Sequence, residues 1–184
     1  MAGAVRGLPG LAAVLLGLLL GGCSPALNWR EAGPPGVDIL LSFPCRPQTL
    51  TQPVQLAGRS MSMSLTGCVA AGMTFALAHV DAGRAADVEP TLAALRQAAL
   101  ANLSARVLAS RPAAVAHADR GLPDAVELDL AGHAPGGIKM REHLLLFAQR
   151  NQVFQATVLA RQQDYRRDAA RTFAASVQLS AHGR

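Results

Sequence analysis

Between residues 59 and 69 polar and apolar side chains alternate: Ser60, Ser62 and Ser64 stand against Met61, Met63 and Leu65. A period of two places the two sets on opposite faces of a strand, methionines inward and serines outward. A helix would scatter both sets around its circumference, so this segment commits the chain to a sheet with a buried face. The methionines are read as core in preference to a metal–thioether site. Neighbouring runs suit the same sheet. Residues 37–43 form a compact apolar run ended by Pro44, and residues 49–56 a second one, which Pro53 confines to an edge. Ala57-Gly58 and Ala71-Gly72 are turns, and residues 73–80 make a fourth strand.

The pattern then changes period. Asp87 is a helix cap, Pro90 is tolerated in the first turn, and Leu92, Leu95, Ala99, Leu103 and Val107 recur at spacings of three and four. This predicts a helix to about Ala109, broken by Pro112. Residues 113–118 suggest a short strand. Residues 125–130 suggest a half-buried one, with Val126, Leu128 and Leu130 inward and Glu127 and Asp129 outward. His133 to Gly137 reads as a flexible loop. Residues 139–148 and 152–160 form a hairpin around Arg150-Asn151, and counting outward sets Phe147 opposite Phe154 and Leu145 opposite Ala156. Asp164 caps a closing helix with Ala169, Ala170, Phe173 and Val177 inward. Aromatic residues make up only 4% of the chain, so Phe43, Phe75, Phe147, Phe154 and Phe173 are the few large pieces of the core. The predicted order is ββββ-α-β(β)ββ-α. Short turns make neighbouring strands antiparallel, and helices confined to two points give an α+β sandwich rather than a βαβ array.

The beginning of the chain has a separate logic. Arg6 precedes an apolar run from Leu8 to Leu20, too short for a bilayer span of about 20 residues but suited to a secretory leader. Leu20-Gly21-Gly22-Cys23 resembles the bacterial lipobox, in which the cysteine is acylated and becomes the first residue of the mature protein. Residues 1–22 are then a lipoprotein signal peptide, residues 23–36 a lipidated cysteine with a flexible tether, residues 37–179 one domain, and residues 180–184 a polar tail. An uncleaved N-terminal anchor is the alternative. Ser24, where an aspartate would favour inner-membrane retention, leans toward the outer membrane facing the periplasm. Trp29 either packs as the first residue of the domain or rests near lipid headgroups.

The net charge of +5 is spread along the chain. Its one concentration is Arg161, Arg166, Arg167 and Arg171, at the start of the last helix. This is a solvated face or a site for an anionic partner such as a headgroup, polysaccharide or protein. The concentrated basic patch with aromatic platforms that marks a nucleic-acid binder is missing. Cys45 and Cys68 fall near one another if residues 49–56 and 59–69 form a hairpin. With Cys23 taken by lipid in an oxidising compartment, they form an even pair, and a structural disulfide is expected. The alternatives are two buried thiols, or a redox or metal role without a Cys-x-x-Cys motif. His79, His117, His133, His143 and His182 fit no compact metal-ligand spacing. The chain has no Gly-x-Ser-x-Gly elbow, phosphate loop or dinucleotide motif. No catalytic residue, metal or cofactor is assigned.

Three phrases resemble the PsbP-like superfamily of α/β/α sandwiches: Leu41-Ser42-Phe43-Pro44, Gly121-Leu122-Pro123-Asp124-Ala125-Val126-Glu127, and the 141–160 hairpin followed by Ala170-Arg171-Thr172-Phe173-Ala174-Ala175-Ser176-Val177. The resemblance covers about residues 37 to 179. It implies an antiparallel sheet flanked by helices and a non-enzymatic accessory or binding domain. Its bacterial relatives include small lipoproteins of the DcrB type. The expectation is therefore a lipid-anchored, periplasm-facing module of the cell envelope. The alternative is an envelope enzyme or metal-binding protein using histidines of the sheet and loops.

Overall fold

The computed structural model describes residues 26–116 and 125–179. Cys23, the leader, His117, the 121–124 part of the PsbP-like phrase, His182 and the tail lie outside them. Among the described residues ten strands and two α-helices follow in the order β1 (Arg30–Ala32), β2 (Ile39–Phe43), β3 (Gln48–Leu56), β4 (Arg59–Ala70), β5 (Met73–Asp81), α1 (Val88–Asn102), β6 (Arg106–Pro112), β7 (Val126–Ala134), β8 (Ile138–Gln149), β9 (Gln152–Arg161), α2 (Arg167–Ala175) and β10 (Gln178–Leu179). Seven strands form one antiparallel sheet in the order β3-β4-β5-β9-β8-β7-β6, and β1, β2 and β10 form a small one.

The central strands of the large sheet are buried on both faces. On one lie β2 and α2, with Ile39, Leu41 and Phe43 meeting Phe75, Leu77, Phe147, Phe154 and Phe173. The five phenylalanines are all buried there. Phe173 meets Phe43 and Phe75 edge-on, with ring centres 5.2 and 5.5 Å away, a favoured aromatic geometry. On the other face α1 packs Val88, Leu95 and Ala99 against Val80, Leu128, Leu130, Leu144 and Val153. This is the expected sandwich, with one refinement. The first expected strand (β2) leaves the main sheet and joins β1 and β10 as a cover layer beside α2.

The pairings follow the sequence closely where turns are tight. Ala57 and Gly58 take φ of 49° and 71°, the left-handed pair of a two-residue hairpin turn. Pro53 stands on β3, an edge strand. Phe147 faces Phe154 and Leu145 faces Ala156. Met61 is buried and Ser60 and Ser62 are exposed, but Leu65 on the methionine face is open to solvent.

Several expectations need correction. The helix ends at Asn102, not Ala109: Ser104 turns left-handed at φ 45°, and residues 106–112 pair with β7 instead. A strand there supplies partners to the backbone groups of β7 that a longer helix would leave open. Gly132 makes the junction possible. A Cβ there would collide with the Leu103 carbonyl, which accepts a hydrogen bond from His133 N–H at 2.7 Å. Residues 113–116 contribute a single bridge, Ala116 to Gln178, rather than a strand. Asp87 stands at the α1 N-cap without a side-chain capping bond; its carboxylate instead holds Arg59 at 2.7 Å and Arg84 at 2.9 Å. Arg166, not Asp164, precedes α2. Within the stretch expected as a tether, Asn28 N–H donates to Pro44 O at 2.8 Å. Trp29 packs edge-on against Phe75 at 5.9 Å, and Arg30–Ala32 pair with β2.

Candidate functional site

The densest polar group lies on the α2-facing side of the sheet, where β6, β7 and β8 run side by side. Register sets Arg111 opposite Glu127 and Asp129 opposite His143. The Arg111 guanidinium forms ion pairs with Glu127 and, at 3.1 Å, with Asp129. Asp129 Oδ1 lies 2.8 Å from His143 Nδ1. Burial disfavours the Asp129 carboxylate, but hydrogen bonds from His143 and Arg111 outweigh it and hold its pKa below the usual value. An ionised carboxylate only accepts, so His143 carries its proton on Nδ1. His143 Nε2 is buried without a hydrogen-bond partner, 3.9 Å from Glu127. Beyond this group Arg141 lies over the Tyr165 ring, 5.6 Å from its centre. Burial, then Asp129, raise the Tyr165 hydroxyl pKa against the opposing pull of Arg141, Arg167 and Arg171.

An Asp–His pair of this kind fixes a tautomer, as in hydrolytic triads, but chemistry also requires a nucleophile and access. His143 is buried, and its contacts here are carboxylates. What the cluster does in this geometry is hold β6, β7 and β8 in register through charged hydrogen bonds.

The structure distributes the other candidates. Cys45 and Cys68 are joined as a disulfide, with Cα atoms 6.0 Å apart. His79 shares a sheet face with His143 but stands in another row, opposite Phe154; its Nδ1 is buried without a partner, and burial lowers its pKa. His133 is exposed at the end of β7. Among the described residues no three His, Cys, Asp or Glu side chains converge on a metal position. The four arginines divide. Arg167 and Arg171 are exposed on α2, on the side of Tyr165. Arg161 lies in a groove with Ile138, Lys139, Gln162 and Gln163 at the end of the sheet.

The Arg111 cluster escaped the sequence reading. Glu127 and Asp129 look like a solvent face when β6 is read as the end of a helix. Glu142 escaped as well. It is buried on the α1-facing side of β8, opposite Leu130 and Leu159, and burial pushes its carboxyl pKa from 4.5 to about 7. Its signal was weak: Glu142 stands between Arg141 and His143, and an apolar run, Leu144 to Ala148, follows on one side only.

No protein-family model and no curated protein sequence matches the chain. Among solved structures it is similar to the cyanobacterial PsbP protein CyanoP from Synechocystis sp. PCC 6803. The two are 11% identical, with a TM-score of 0.52 over 87% of this chain and 96% of the other. A Pseudomonas aeruginosa protein of unknown function, described as a putative regulator, is 13% identical over 74% of this chain and 85% of its own. Its TM-score of 0.36 carries no argument. The likeness to CyanoP shows a PsbP-like fold, and a fold by itself assigns no activity.

Proposed function

We propose that this chain is a lipid-anchored, periplasm-facing accessory or binding module of the bacterial cell envelope, of the DcrB-type lipoprotein kind and without a catalytic centre. The observation that carries the reading is the pairing of Cys45 with Cys68. It suits an oxidising compartment and leaves Cys23, behind its apolar leader, as the one remaining cysteine. Ser24, where an aspartate would favour inner-membrane retention, supports an outer-membrane anchor over an inner-membrane one. Arg167, Arg171 and Arg141 around Tyr165 offer an anionic partner a cationic face with one aromatic ring. The alternative is an envelope enzyme or metal-binding protein using His79, His133 or His143; a shared site of these histidines is disfavoured because they stand at separate places on the sheet.

Metabolic labelling with palmitate tests the reading. The wild-type protein incorporates label and fractionates with outer membranes, Cys23→Ala does neither, and globomycin leaves the leader attached. A wild-type protein that takes up no palmitate refutes it.

A further inference from the structure

At one end of the seven-stranded sheet the start of β3, the β4–β5 turn, the end of β9 and the start of β8 come together. Gln48 is opposite Gly67, Met73 opposite Ala160, and Arg161 opposite Met140. The chain enters the domain at this same end. Asn28 is bonded to Pro44, and Cys45 and Arg46 follow directly.

This end exposes apolar side chains among cations. Val69 is 69% exposed and shares with Arg46 a groove of about 450 Å³ that runs back along the sheet to Leu50 and Leu65, in the row of Ala78. Ile138, 42% exposed, lies with Lys139 and Arg161 in a second groove of about 480 Å³. Arg166 is exposed, and its N–H donates to Met73 Sδ at 3.4 Å beside the β4–β5 turn. Asp164, half-buried against Gly72, is a carboxylate at the same turn.

We propose that this sheet end is the surface by which the domain rests on an anionic phospholipid bilayer. Val69 and Ile138 enter the headgroup layer, and Arg46, Lys139, Arg161 and Arg166 meet lipid phosphates. The proposal rests on the acylation of Cys23 proposed above. Because Asn28 is fixed to the domain, only five residue steps separate it from Cys23, at most about 18 Å of extended chain. A headgroup layer is itself roughly 5–8 Å thick. An acylated Cys23 therefore holds this end against the membrane instead of letting the domain swing. A symmetric contact with a second copy would bring the same cations face to face, which disfavours that occupant.

The test uses the full, acylated chain extracted from membranes and reconstituted into vesicles of phosphatidylcholine and phosphatidylglycerol. Single substitutions Val69→Cys, Ile138→Cys and, as a control on α1, Gln97→Cys each carry a fluorophore, the native thiols being occupied. Brominated lipid is expected to quench the labels at positions 69 and 138 about twofold or more above the label at 97. Combining Arg46→Glu, Lys139→Glu and Arg161→Glu should remove that excess. Equal quenching at all three positions in palmitate-bearing protein overturns the docking surface and leaves the anchor standing. Protein without palmitate overturns the anchor reading and the surface with it. Energy transfer between labelled copies without lipid quenching overturns the proposal by assigning the face to a second copy.

Discussion

Replacing Glu142 by glutamine removes a carboxyl that the fold holds more favourably protonated than ionised. The side chain is 7% exposed, set between β7 and β9 opposite Leu130 and Leu159, and burial raises its pKa from 4.5 to about 7. The native state therefore holds a proton that the unfolded chain gives up as pH rises above 4.5. Where the native state binds more protons, stability falls with rising pH. The wild-type protein should lose up to about 1.4 kcal/mol per pH unit between pH 4.5 and 7 from this group, with a constant penalty above. The full shift corresponds to about 3 kcal/mol as an upper bound. Glu142→Gln leaves a neutral side chain of the same size. It should match the wild type near pH 4.5 and exceed it by as much as about 3 kcal/mol at pH 8, or roughly 6–12 °C in melting temperature for a domain of this size. Urea unfolding followed by circular dichroism at pH 4.5, 6 and 8, with the disulfide intact, measures the difference. Parallel stability curves for the two proteins across that range would refute the reasoning.

Asp129→Ala leaves His143 Nδ1–H buried without its acceptor and takes one carboxylate from Arg111. It should cost about 2–4 kcal/mol in urea unfolding at pH 7; a loss below about 0.5 kcal/mol would show that the cluster contributes little to stability. Replacing Cys45 and Cys68 together by alanine opens a loop spanning 23 positions and should cost about 3 kcal/mol, and an unchanged denaturation midpoint would contradict it. His79→Leu removes a buried, unpartnered Nδ1 from a ring whose pKa burial lowers. In the wild type, acid stability is lost as pH falls below about 6.5, because the unfolded imidazole takes up a proton more readily. The variant should therefore gain more at pH 5 than at pH 8, and an equal gain at both would count against the burial argument.

Strands announced by a period of two, with tight turns between them, were legible from sequence. β4 from its serine–methionine alternation and the β8–β9 hairpin from the apolar runs on either side of Arg150-Asn151 are the clearest cases, because side-chain pattern acts within a few residues even where, as at Arg150-Asn151, the turn lacks the favoured Asn-Gly order. What escaped depended on distant partners. β6 continues the helical apolar spacing through Val107, and only the open edge of β7 turns it into a strand. β1 lies among prolines and glycines and forms because β2 offers it an edge. The polar cluster was hidden for the same reason. Glu127 and Asp129 face inward because Arg111 and His143 meet them from neighbouring strands, and those pairings exist only once the register does. Cys45 and Cys68 were the exception, since a hairpin count of a few residues was enough to bring them together.

Intact mass spectrometry of the protein extracted from native membranes, alkylated without reduction, tests the central claim most directly, because one mass reports leader, lipid and thiols together. A lipid-anchored, disulfide-bonded protein gives a chain beginning at Cys23, heavier by the acyl groups on that residue, with no alkylated thiol. A chain that retains residues 1–22, or one that carries no lipid and takes up alkylating reagent at Cys45 and Cys68, would contradict it.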